Sequence, residues 1–126
     1  MKDFKKYYII NAEPELVYKA LTNAATLQLW TGAPAIMNDE PETEFSLWED
    51  SICGKNISFV PGKQIVQEWY FGDQEPASIV TINLHADKSR TSMEVRHSNI
   101  PDEDFDDIST GWTETYVAAL SAFYSE

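Results

Sequence analysis

The sequence predicts an α+β domain: a strand and two short helices, then an antiparallel meander, then one long C-terminal helix. Three observations predict it. From about Ala35 to His97 apolar residues recur at every second position. From Phe105 to Phe123 they recur at every third or fourth. Between the first strand and the meander, Pro14 and Gly32 bracket two short stretches of helical spacing.

Taken in order, residues 4–10 combine aromatic and β-branched side chains, the composition of a strand. Pro14 suits the first turn of a helix, where its missing N–H loses no bond. Val17, Ala20 and Leu21 then share one helical face. Asn23 is placed to cap a second short helix carrying Leu27 and Trp30, and Gly32 to end it in the left-handed conformation. In the meander, Phe45 and Leu47 share a strand face, and so do Ile57 and Phe59. Ile65, Trp69 and Phe71 share another, with Gln67 interrupting. Val80, Ile82 and Leu84 alternate with Thr81 and Asn83. Thr91, Met93, Val95 and His97 alternate with Ser92, Glu94 and Arg96. Glu49-Asp50, Pro61-Gly62, Gly72-Asp73 and Asp87-Lys88 supply the turns, so the sheet has one apolar face.

The last helix is expected over residues 105–124, with Phe105, Ile108, Trp112, Tyr116, Ala119 and Phe123 on its inward stripe. Asp102, Glu103, Asp104, Asp106 and Asp107 crowd its start and interact favourably with the helix dipole. Without a glycine-containing calcium loop they read as a helix start, not as a metal site.

The length of 126 residues fits a single domain over 1–126, long enough to bury a substantial core. Nine basic against 21 acidic residues give a net charge of −12, which argues against nucleic acid and anionic membrane surfaces as partners. Lys2, Lys5 and Lys6 are the one basic cluster and read as edge-strand decoration. Cys53 stands alone, so no internal disulfide forms, and it reads as a small, partly buried residue. No signal peptide or membrane-spanning stretch is evident, which makes the cytoplasm the expected compartment. Four Trp, six Tyr and six Phe are a large aromatic complement, suited to lining an apolar pocket as well as a core.

Chemistry is sparse. No phosphate loop, zinc spacing or nucleophile elbow is present, and no catalytic residue or cofactor is assigned. His85 falls on the outer face. His97 shares the inner face with Met93 and Val95; it reads as a hydrogen-bonded residue at a cavity rim, with ligand orientation or proton transfer as the alternative. Glu68 and Glu94 are expected to face water. Tyr70, Tyr116 and Tyr124, where buried, are expected to satisfy nearby carbonyls.

Several fragments carry a family resemblance. Ala12, Pro14-Glu15, Val17-Tyr18 and Leu21-Thr22 open it, and Trp30-Thr31-Gly32 follows. Phe45-Ser46-Leu47-Trp48 with Ile52 and Gly54, the run from Gly62 to Trp69, His97, Ile100-Pro101 and Gly111-Trp112 complete it. In this order the chain resembles the Aha-type activators of the 90-kDa heat-shock protein ATPase, within the START/SRPBCC group, from about Ile10 to Leu120. Asp50 departs from the pattern, standing where that family commonly has Gly; Asp tolerates the left-handed turn this requires. The resemblance implies a helix-grip fold, in which a curved sheet wraps the long helix and often leaves a cavity. It transfers no active site.

Such a cavity would be lined by Trp30, Phe45, Leu47, Phe59, Trp69, Val80, Ile82, Met93, Val95, His97, Trp112 and Tyr116. The expected function is binding of a small apolar or aromatic molecule there. A chaperone-linked interaction module is the alternative, associated with stress response, and an aromatase- or cyclase-type enzyme is a third. Eukaryotic cochaperones of this type carry a separate N-terminal domain for which 126 residues leave no room, so a lone domain of bacterial source is expected.

Overall fold

The computed structural model of the chain describes residues 1–71 and 77–125; the expected Gly72-Asp73 turn lies outside them. Strands β1 (Lys2–Ile10), β2 (Glu44–Leu47), β3 (Ile52–Val60), β4 (Gln64–Trp69), β5 (Ser78–Asp87) and β6 (Arg90–Ile100) form one sheet in the order β1-β6-β5-β4-β3-β2. Every pairing is antiparallel, and the curved sheet encloses the C-terminal helix as in a helix-grip fold.

The helices start and stop where their end residues dictate. Helix α1 (Pro14–Thr22) begins on its proline. Helix α2 (Ala24–Thr31) begins where the Asn23 side chain accepts the Thr26 amide at 2.9 Å, and it ends on Gly32 at φ 73°. Both lie between β1 and β2 and place Val17, Ala20, Leu21, Leu27 and Trp30 in the core.

A short 3₁₀ turn (Asp102–Asp104) leads into α3 (Phe105–Gly111), a π-helical segment (Trp112–Tyr116) and α4 (Val117–Phe123), with helical backbone at each junction. This is the expected long helix, but its inner stripe differs from the expected one. Trp112, Tyr116, Val117 and Leu120 are buried, whereas Phe123 is 40% exposed and Ala119 is half-buried. The π segment has more residues per turn than an α-helix, so positions four apart stay aligned and the stripe passes to Leu120.

The sheet departs from the simple alternation at two further points. A bulge between Asn56 and Ser58 leaves Ile57 out of the pairing, so Asn56 and Phe59 lie on the inner face opposite Gln67 and Ile65. Glu94 faces the outer surface yet is only 3% exposed. It accepts hydrogen bonds from Tyr7 (3.0 Å), Asn83 (2.9 Å) and Arg96 (3.0 Å), which roof it over. Those bonds, with Asn83 foremost, hold its carboxyl at about 2, below the usual range. Gly54 sits where β3 crowds β4: a Cβ there would lie 1.8 Å from the Glu68 carbonyl oxygen, so no side chain fits.

The remaining inner residues, Ile65, Val80, Ile82, Leu84, Met93 and Val95, pack beneath the helices as one core with Phe45 and Leu47 of β2.

Candidate aromatic cleft

All four tryptophans converge on the π-helical segment. Tyr116 is the hub, with its ring centroid 4.6 Å from Trp112, 5.3 Å from Trp30, 6.0 Å from Trp48 and 6.2 Å from Trp69. Trp69 and Trp112 stack at 4.8 Å with planes 21° apart. Each indole N–H, a donor with no acceptor capacity, has its own partner. Trp30 donates to the Ala20 carbonyl (2.7 Å), Trp48 to the Thr31 carbonyl (3.1 Å), Trp69 to Gln67 Oε1 (3.0 Å) and Trp112 to His97 Nδ1 (3.0 Å).

Buried polar side chains on the sheet fix these rings. Gln67 donates onward to Asn56 Oδ1 (3.0 Å), and Asn56 to the Asn38 carbonyl (3.1 Å) and Thr43 Oγ1 (3.2 Å). His97 is 1% exposed. Because the Trp112 indole donates to Nδ1, the neutral ring carries its proton on Nε2, which donates to Ser78 Oγ at 2.6 Å. Ser78 in turn donates to the Ser98 carbonyl (3.0 Å). Burial lowers the His97 pKa to about 4. Both ring nitrogens are occupied and, among the described residues, no carboxylate contacts the ring, so His97 serves to orient Trp112.

Beside the stacked pair lies a cleft of about 360 Å³. The helix supplies Asp107, Ile108, Gly111, Trp112, Thr115 and Tyr116; the end of β4 and the residues after it supply Trp69, Tyr70 and Phe71. Trp48 and Ser51 from the β2–β3 turn, with Ile52 and Cys53 at the start of β3, form the facing wall. Irregular backbone builds both walls. The helix wall includes the π segment. The turn wall includes three successive left-handed residues, Trp48 (φ 50°), Glu49 (φ 53°) and Asp50 (φ 70°). Conformations of this kind cost free energy and concentrate at functional sites. A Cβ on Gly111 would meet no atom within 4 Å, so that glycine opens onto free space.

Tyr116 departs from the expectation for buried tyrosines. The Tyr124 hydroxyl donates to the Leu16 carbonyl at 2.9 Å. Tyr116 is only 4% exposed, and among the described residues its hydroxyl has no hydrogen-bond partner. Burial raises its pKa, so the hydroxyl keeps its proton.

Of the residues expected to line a cavity, Trp69, Trp112 and Tyr116 line this cleft. Trp30, Phe45, Leu47, Val80, Ile82, Met93 and Val95 are packed in the core, His97 is buried behind Trp112, and Phe59 is half-buried against the core. Trp48, Ser51, Ile52 and Cys53 also line the cleft, and none of them is among the expected lining residues. Their signal was a tryptophan immediately before the expected Glu49-Asp50 turn. Among the described residues no group of three or more His, Cys, Asp or Glu side chains converges as a metal site.

Residues 11–124 match the family described as "Activator of Hsp90 ATPase homolog 1-like protein". The chain belongs to this family. Curated relatives of this Aha1-like chain include the activator of 90 kDa heat shock protein ATPase homolog of Dictyostelium discoideum. The two are 29% identical over 89% of this chain and 30% of that protein. Homolog 1 of Homo sapiens is 28% identical over 85% of this chain and 32% of that protein. The Aha1-like chain thus spans about a third of the length of these relatives.

Among solved structures, an HSP90 activator from Plasmodium falciparum superposes with a TM-score of 0.87 at 24% identity, covering 98% of this chain and 96% of that one. The Aha1 dimer from Colwellia psychrerythraea gives 0.84 at 18% identity, covering 96% and 94%. These superpositions establish a shared fold. Among the described residues, no helix is long and apolar enough to cross a membrane.

Proposed function

We propose that this chain is a cytoplasmic helix-grip domain that holds a small apolar or aromatic molecule in the cleft beside Trp69, Trp112 and Tyr116. The observation that carries the reading is buried Tyr116, which lines an aromatic space of about 360 Å³ and whose hydroxyl has no partner among the described residues. Small-molecule pockets span roughly 300–1,000 Å³ and pair apolar walls with a few polar groups. An unsatisfied buried hydroxyl costs about 1–3 kcal/mol, a penalty that a guest with a polar atom would relieve.

A thermal-shift and tryptophan-emission screen of apolar and aromatic compounds tests the reading. A true guest raises the melting temperature saturably, because it binds the native state alone; at a hundred times its Kd it adds about 2.7 kcal/mol. The emission response should largely vanish in Trp112→Phe, which keeps most of the ring bulk. A panel giving neither a thermal shift nor an emission change would remove the ligand reading.

A chaperone-linked module is the second reading, favoured by membership of the Aha1-like family and by relatives described as ATPase activators. Under the ligand reading, the chain leaves the turnover of a 90-kDa heat-shock protein ATPase unchanged. A several-fold rise at low ionic strength, lost on adding salt, would select the module instead.

A further inference from the structure

We infer that the cleft selects its guest by charge and by one hydrogen bond. It takes a flat aromatic compound, neutral or cationic, with a polar atom for Tyr116, and it turns away carboxylates and phosphates. The inference rests on the ligand reading above and specifies the ligand class.

The side chains around the cleft support it. Asp107 is the one acidic side chain among the described lining residues, and no Lys, Arg or His joins it. Lys55, further along β3, pairs with Glu42 at 3.5 Å and does not line the space. An anion entering here would lose its water and find no cation, which is costly in an apolar site. It would also approach Asp107 and a protein of net charge −12. A cation meets the opposite conditions, with Asp107 on the helix wall and indole faces that attract positive charge. Flatness follows from the parallel indole pair of Trp69 and Trp112, with planes 21° apart, against which a planar ring can stack. The polar atom follows from Tyr116, whose hydroxyl is protonated, buried and unpartnered among the described residues.

A matched naphthalene series separates the parts of this claim: naphthalene, 2-naphthol, 2-naphthylmethylammonium and 2-naphthoate, each titrated against the full chain. Cys53 lines the cleft and is the only cysteine, so slowed alkylation by iodoacetamide reports that a compound occupies this space. We expect 2-naphthol to bind about two- to tenfold tighter than naphthalene, one neutral hydrogen bond's worth, with that gain lost in Tyr116→Phe. We expect 2-naphthoate to bind at least about tenfold more weakly than 2-naphthol, with the gap narrowing in Asp107→Asn. The ammonium should bind at least as tightly as naphthalene.

Failure of all four compounds to bind or to protect Cys53 would overturn the ligand reading and this inference together. Protection of Cys53 by 2-naphthoate at the affinity of 2-naphthol would overturn the charge selection and leave the ligand reading standing. A 2-naphthol advantage that survives in Tyr116→Phe would overturn the hydrogen-bond assignment.

Discussion

A chain ended at Pro101 is expected to collapse or aggregate, with no cooperative unfolding transition. The missing segment carries Trp112, Tyr116, Val117 and Leu120, all buried against the concave sheet. Removing a large aromatic side chain from a core costs about 3–5 kcal/mol and removing a leucine about 2–5. Their combined loss exceeds the 5–15 kcal/mol or so that holds a domain of this size together, or comes close to it. It would also leave His97 Nδ1 without its indole donor and expose the inner faces of β4 to β6. Near-ultraviolet circular dichroism and a urea melt of the truncated chain check this. A soluble product with a sharp transition would contradict the helix-on-sheet core.

The second large effect is an acid-side loss of stability traceable to His97. Burial lowers its pKa from 6.5 to about 4 in the folded protein. The unfolded chain therefore takes up this proton below pH 6.5, while the native state takes it up only below about 4. Stability is unaffected above pH 6.5, falls as pH drops from 6.5 to 4, and levels off below. At 1.36 kcal/mol per unit the loss amounts to about 3 kcal/mol. Protonation of Nδ1 would also set N–H against the Trp112 indole N–H.

In His97→Gln, an amide oxygen can still accept from Trp112 but nothing titrates. The difference in urea midpoint between the two proteins should therefore change across this window. A constant difference from pH 7 to pH 4 would contradict a buried neutral imidazole. Glu94 does not confuse the comparison, because it is present in both proteins; its contribution is held above pH 4.5 and lost as pH falls toward about 2. Because His97 bonds Trp112 and is not among the residues lining the cleft, ligand affinity in the variant should stay within about tenfold of wild type.

Local chemistry made most of the architecture legible. Pro14, Asn23 and Gly32 mark helix ends through interactions within a few residues, so they could be read directly. Strict alternation in β5 and β6 assigned Val80, Ile82, Leu84, Met93 and Val95 to the inner face, where they lie. The π-helical segment was not legible, because apolar residues four apart at 112 and 116 fit an α-helix equally well. The burial of Glu94 was hidden for another reason: Tyr7, Asn83 and Arg96 reach it across and along strands whose register no single-strand pattern specifies. Ile57 fell to a bulge that alternation cannot anticipate.

The cleft was legible only in part. Its aromatic floor was visible as Trp69, Trp112 and Tyr116. Its second wall depends on the left-handed run from Trp48 to Asp50, which swings Trp48 against Tyr116 and α2. The turn could be expected from Glu49-Asp50; the direction in which it throws the tryptophan could not.

The proposed guest enters the space between the β2–β3 turn and the π segment. The four indole N–H signals of ¹⁵N-labelled protein, titrated with 2-naphthol, test this most directly. Trp48, Trp69 and Trp112 line the cleft, whereas Trp30 is packed behind Tyr116 and bonded to Ala20. A guest in this space gives saturable shifts of the Trp48, Trp69 and Trp112 signals with one common affinity, and a Trp30 signal that moves least. No saturable shift, or shifts largest at Trp30, would contradict it.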